Sequence, residues 1–235
     1  VNFDLQGFRA IEETKPRIKV LVGEFGSGKT ELAVTLASYM QQSGMTAAVV
    51  DMDLVKPYFR TREHKARLEA QGVTVVAPPV KLAHADLPVM PPDVTRVLLS
   101  PEYRVVMDVG GAKSAIVLGQ MRDRIRQNGA EILMVVNICR PFSATVADIV
   151  AAITNIEAAS GLAVTGLVSN TNLGAETTVE QVMDGLQLTQ QVAAVKGLPL
   201  RWLVVPAWLF GELSVAEPVL PLQPMTQYPW DDITN

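Results

Sequence analysis

The chain has 235 residues, 49% of them hydrophobic and 19% charged, with a mean hydropathy of +0.23, a net charge of −4 and a pI near 5.3. The acidic balance argues against a general nucleic-acid surface, and no apolar run approaches the ~18 residues of a membrane span, so no stable membrane insertion is expected. The lone cysteine, Cys139, excludes an internal disulfide, and a cytoplasmic setting is the expectation. No signal peptide is read, and His64 and His84 have no metal-ligand spacing.

Ile18-Lys19-Val20-Leu21-Val22 is a short apolar run that ends at Gly23, which predicts a buried strand over 17–22. Residues 23–30 read Gly23-Glu24-Phe25-Gly26-Ser27-Gly28-Lys29-Thr30, a complete P-loop. From there Leu32, Ala33, Leu36, Ala37 and Met40 take helical spacing, predicting a helix over 29–42 with Glu31 in its first turn. Glycines therefore sit where a strand turns sharply into a helix. Backbone N–H groups in such a turn wrap a phosphate, and the helix N-terminus adds partial positive charge. Lys29 is the candidate for the terminal phosphates and Thr30 for Mg²⁺.

The second predicted strand, 46–51, ends in Asp51-Met52-Asp53, two acids pointing to one face. Asp51 reads as structural, and Asp53 is the candidate for orienting water or Mg²⁺. Residues 56–67 carry Lys56, Arg60, Arg62, Lys65 and Arg67 against Glu63; the readings are a solvated helix face over 60–71 or contact of an arginine with the nucleotide or an anionic substrate. A short strand over 73–76 precedes residues 77–92, which hold five prolines and read as a long irregular binding loop.

A helix over 92–99 leads to a strand over 103–108 that ends in Asp108-Val109-Gly110-Gly111. Asp108 emerges at the strand's carboxyl end as a candidate Mg²⁺ ligand through water, and the Gly111 N–H is placed to sense a γ-phosphate. Beyond it a helix over 113–128, with Arg122, Arg124 and Arg126 on a solvated face, alternates with strands over 131–137, 163–169 and 200–205 and helices over 144–159 and 178–196. Thr145 with Asp148, and Thr177 with Glu180, read as capping pairs. Asn170 ends one late strand and faces a purine edge on this reading; Pro206 ends the last and offers a base wall. The alternation predicts an α/β domain over 1–208 with a mainly parallel sheet and helices on both faces. Residues 209–235 read as a Pro-rich tail, packed on the domain or extended, without strand periodicity.

P-loop, Asp51-x-Asp53, Asp108-x-x-Gly111 and Asn170 form one ordered set. It resembles the P-loop class that contains MinD, ParA, the cobyrinic-acid amidases, the nitrogenase iron protein, dethiobiotin synthetase and the urease- and hydrogenase-maturation GTPases, over roughly residues 17–208. By that likeness Lys29 and Thr30 carry phosphate and Mg²⁺, Asp53 positions the attacking water, Asp108 is the switch acid and Asn170 faces adenine. Glu24 stands where MinD and ParA have a lysine that reaches across a dimer, so a dimer would not be lysine-completed. The Asn-Lys-x-Asp run that reads guanine in the maturation GTPases is absent. The expectation is therefore an Mg²⁺-dependent ATP/ADP-binding protein, a slow ATPase switch acting on a protein partner. The alternatives are a small-molecule kinase or ATP-dependent ligase holding a small anionic substrate with residues 56–92, or a nucleotide-binding scaffold with little turnover.

Overall fold

The computed structural model describes residues 3–52, 61–76 and 92–223, apart from the side chains of 61–64 and 112–113. Its strands are β1 Ile18–Val22, β2 Thr46–Asp51, β3 Thr74–Val76, β4 Tyr103–Asp108, β5 Ala130–Val136, β6 Gly166–Ser169, β7 Leu200–Pro206 and β8 Val219–Leu222. They form one sheet in the order β3-β2-β4-β1-β5-β6-β7-β8, parallel at every pairing. The helices are α1 Leu5–Glu13, α2 Lys29–Gln42, α3 Thr61–Ala70, α4 Pro92–Leu99, α5 Ala112–Gln120, α6 Arg122–Gln127, α7 Val146–Ser160 and α8 Val179–Lys196.

All five residues of β1 are buried, as a strand covered on both faces requires. Its alternation divides the core. Ile18, Val20 and Val22 pack with Met107, Leu118, Ile149 and Ile153 on the face covered by α4, α5 and α7. Leu21 joins Leu32, Leu36, Met40, Val106 and Trp202 on the α2 face. The chain leaves β1 toward β2 on one side and crosses from β4 to β5 on the other. The carboxyl ends around β1 thus open the crevice where such sheets bind ligands.

Four departures from the sequence expectations have local causes. The segment ahead of β1 is a helix, α1, whose N-cap Asp4 accepts from the N–H groups of Gln6 and Gly7. Arg104 on β4 donates to the carbonyls of Glu12 at 2.8 Å and Lys15 at 2.9 Å, tying the end of the helix to the sheet. The 113–128 helix divides at Met121, which is buried, just past Gly119, a poor helix former. The α8 capping box uses Thr178 and Gln181 rather than Thr177 and Glu180. Thr177 Oγ1 is spent closing the preceding loop, donating to Gly174 O and accepting from Leu173 N. The sheet also continues past residue 208, because β8 pairs with β7 at its edge. Pro221 is tolerated there, as edge strands allow, and its carbonyl accepts from Tyr39 Oη at 2.8 Å. The Thr145–Asp148 capping box is present on α7, and Arg122, Arg124 and Arg126 are exposed.

At the amino end of the sheet the β1–β5 register sets Lys19 beside Glu131. Lys19 Nζ lies 2.6 Å from Glu12 Oε2 and 3.1 Å from Glu131 Oε2, while Arg201 meets Glu12 at 3.1 Å and Glu131 at 2.9 Å. Two acids and two bases thus close a ring in which the Lys19 and Glu12 side chains are 0% exposed. Trimming one acid leaves two buried cations sharing Glu131, and a broken buried pair costs about 3–5 kcal/mol. Glu12→Ala should lose about that much stability in urea unfolding followed by circular dichroism. A loss below about 1 kcal/mol would show that water replaces the carboxylate.

Candidate functional site

The P-loop occupies the β1–α2 connection at the carboxyl edge. Gly23 could not carry a side chain: a Cβ there would lie 2.5 Å from the Val135 carbonyl oxygen, and its φ is +148°. Gly28 is the N-cap of α2 at φ +84°, and a Cβ there would lie 2.4 Å from Asn170 Nδ2. Lys29 is buried and curls back into the loop, its Nζ donating to Gly23 O at 3.0 Å, Glu24 O at 2.8 Å and Ser27 Oγ at 3.3 Å. Phe25 stands out at the tip, 71% exposed. Glu24 is half-buried, and among the described residues its carboxylate makes no ion pair. Glu31 is buried in the first turn of α2, where a negative charge suits the helix dipole.

Thr30 Oγ1 donates to Asp108 Oδ2 at 2.6 Å. Asp108 is buried at the end of β4, in register with the buried Asp51 on β2. Gly111 caps α5, and a Cβ added there would meet nothing within 4 Å. No group of three or more His, Cys, Asp or Glu side chains that could hold a metal occurs among the described residues. Thr30 and Asp108 supply two hard oxygen atoms, which fits Mg²⁺, an ion that keeps waters and phosphate oxygens for the rest of its shell. Bound there, Mg²⁺ would offset phosphate charge. Asp53 and the 77–91 part of the Pro-rich loop lie outside the described residues, as do residues 56–60 of the basic stretch and the side chains of 61–64; Lys65 and Arg67 are exposed on α3.

Asn170, expected to face a base, is instead turned under the P-loop. Its Nδ2 donates to the Ser27 carbonyl at 2.7 Å, and the residue is 4% exposed. Pro206 is buried at the end of β7, three strands from β1, or about 14 Å across the sheet.

Three residues that the motifs did not single out complete the edge. Asn137, fully buried after β5, donates to Asn172 O at 3.1 Å and Gly26 O at 3.5 Å, and accepts from the N–H groups of Cys139 and Asn172. Asn172 Nδ2 donates to Asn170 O at 2.8 Å. Arg140 Nε donates to Gly26 O at 3.1 Å. The available signal was an Asn at the end of an apolar run, the same one that marked Asn170.

The zeta toxin family model matches residues 5–133, over half of the chain, including the P-loop and Asp108. The chain belongs to the zeta toxin family. No curated protein matches it. Solved structures of low identity share its fold. Cell division protein FtsY from Thermotoga maritima matches at 19% identity and a TM-score of 0.55, covering 79% of this chain and 60% of that one. Chloroplast FtsY from Physcomitrella patens matches at 17% and 0.54, covering 80% and 58%. The Signal Recognition Particle 54 kDa protein from Aeropyrum pernix K1, in complex with GDP, matches at 23% and 0.50, covering 79% and 40%. The chain thus spans 40–60% of the length of these structures.

The expected ATP/ADP ligand is corrected here, and with it the ATPase, kinase and ATP-dependent ligase readings. The similar Signal Recognition Particle protein holds GDP. The residue on which the adenine assignment leaned, Asn170, spends its amide on the Ser27 carbonyl.

Two outcomes follow from this geometry. Gly28→Ala should destabilise by about 1–3 kcal/mol through backbone strain and collision with Asn170. Adding Asn170→Ala should relieve part of that loss, a coupling readable in a double-mutant cycle of urea midpoints; strict additivity would mean that the two do not touch. Burial pushes the Cys139 thiol up from its ordinary value, with Arg140 pulling it down more weakly. A raised value keeps the thiol neutral as pH rises, so iodoacetamide should alkylate Cys139 several-fold more slowly, roughly, in the folded chain than in urea at pH 8, with the gap narrowing as pH climbs through the folded value. Equal rates in the folded chain and in urea at pH 8 would contradict the partly buried placement.

Proposed function

We propose that this chain is an Mg²⁺-dependent guanine-nucleotide-binding protein that hydrolyses GTP slowly and acts as a switch toward a protein partner. The observation that carries the reading is the 2.6 Å contact between Thr30 Oγ1 and Asp108 Oδ2, beside Lys29 and the open space at Gly111. It sets two metal-binding oxygens, a cation and loop N–H groups around one point at the carboxyl edge. Guanine is favoured by the GDP in the similar Signal Recognition Particle protein, and Pro206 stands far enough from the P-loop to meet the base end of a nucleotide.

A switch needs a surface that its partner reads. Phe25, Phe142 and Trp208 are 71%, 73% and 48% exposed, and all follow strand carboxyl ends, so an apolar rim borders the nucleotide edge. No helix among the described residues is long and apolar enough to cross a membrane. A cytoplasmic location is part of the proposal, supported by the lone cysteine. So is the finer likeness to MinD, ParA and the cobyrinic-acid amidases, supported by motif order, with Asp53 as the residue that orients water. Glu24 at the signature-lysine position favours a dimer, where one forms, that is not completed by a lysine from the partner.

Calorimetric titration with Mg·GTP, Mg·GDP and Mg·ATP tests the reading. Both guanine nucleotides should bind, and Lys29→Ala should weaken GTP by about 10- to 100-fold, the worth of a charge-assisted contact. Preference for ATP would overturn the base assignment, and silence with all three would overturn the site.

A further inference from the structure

We infer that Arg140 is a second phosphate-binding cation, supplied by the same chain, that meets the terminal phosphate of the bound nucleotide; the inference rests on the nucleotide-binding reading above. Among the P-loop's own residues Lys29 is the one cation, and Glu24 adds an acid. Arg140 brings a second positive charge from the end of β5, the strand next to β1. Its guanidinium lies across the loop's fourth residue. A Cβ on Gly26 would stand 3.0 Å from Nε, 3.2 Å from Cδ and 3.5 Å from Cζ.

The side chain is launched from a rigid turn. Arg140 N donates to Asn137 O at 3.2 Å, and Cys139 N donates to Asn137 Oδ1 at 3.0 Å. Asn137 itself is 0% exposed and bonded onward to Asn172. Arg140 is extended, with φ −113° and ψ +141°, as a residue before proline must be. Ser143 N then closes the turn onto Arg140 O.

Only one edge of the guanidinium is used. Nε serves Gly26 O, and among the described residues the two terminal nitrogens make no hydrogen bond. A carbonyl that merely needs a donor is served by a neutral amide, as Asn170 serves Ser27 O. A half-buried, always-charged fork anchored through Nε leaves its two Nη groups for a bidentate anion, and the loop beneath it is built for phosphate.

The test compares wild type, Arg140→Ala and Arg140→Lys by calorimetry in Mg²⁺. The probes are GDP, a non-hydrolysable GTP analogue, pyrophosphate and tripolyphosphate. In Arg140→Ala the GTP analogue and tripolyphosphate should bind about 10- to 100-fold more weakly. GDP and pyrophosphate should change by less than about 3-fold, and Arg140→Lys should recover part of the loss. An equal loss for short and long phosphates, with a lowered Tm, would show that Arg140 only props the loop and would overturn the inference; no loss for any probe would do the same. A wild type that takes tripolyphosphate but refuses guanine nucleotides would sink the guanine reading alone, because the base-free probes still decide Arg140.

Discussion

The hydrogen bond from Asn170 Nδ2 to the Ser27 carbonyl is the constraint on which the carboxyl edge depends. A loop that turns its N–H groups inward for phosphate turns carbonyls outward, and a buried carbonyl without a donor costs about 1–3 kcal/mol. Asn170 answers for Ser27, and Arg140 with Asn137 answers for Gly26. These donors come from the ends of β5 and β6, so two neighbouring strands brace the loop from outside while Lys29 ties Gly23, Glu24 and Ser27 together from within. Gly28 is the counterpart of this arrangement, since only a residue without Cβ lets the Asn170 amide approach. Function enters through rigidity: a loop held from below presents its N–H groups without having to reorganise.

The opposite edge solves a different problem. The amino ends of β1, β5 and β7 bring Lys19, Glu131 and Arg201 into the interior, where unpaired charge is costly. Glu12 arrives from α1 to balance them two against two, and Arg104 fastens the end of that helix. The Arg201 guanidinium also lies 4.8 Å from the Trp202 ring centroid. A buried ring of this kind adds less net stability than apolar packing would. It does fix where α1 docks, because any other placement strands a cation. The sheet thus has a polar network at each end and an apolar middle.

Legibility followed the range of the interaction. The P-loop, Asp108, the parallel sheet and α2 were readable because each rests on neighbours within a few residues: glycines at a strand–helix turn, an acid at a strand end, apolar spacing of two or 3.6. Nearly every predicted strand matches an observed one to within a residue or two at each end, β6 starting three residues late. Misreadings came where one side chain had two local options, as when Thr177 closed its loop and left Thr178 to cap α8. The strand within the tail was not legible because Val219–Leu222 is four residues long and contains proline, so its strand character comes from pairing with β7 rather than from propensity.

Sequence alone therefore determined the fold class, the phosphate loop and the acid beside it, since those follow from local stereochemistry and periodicity. Tertiary structure alone decided what each polar side chain does. Asn170 and Asn137 carry the same amide at the ends of adjacent strands, and nothing local distinguishes a base contact from a brace beneath a loop. The distinction rests on which carbonyl lies within hydrogen-bond reach, and that is set by residues more than a hundred positions away in the chain.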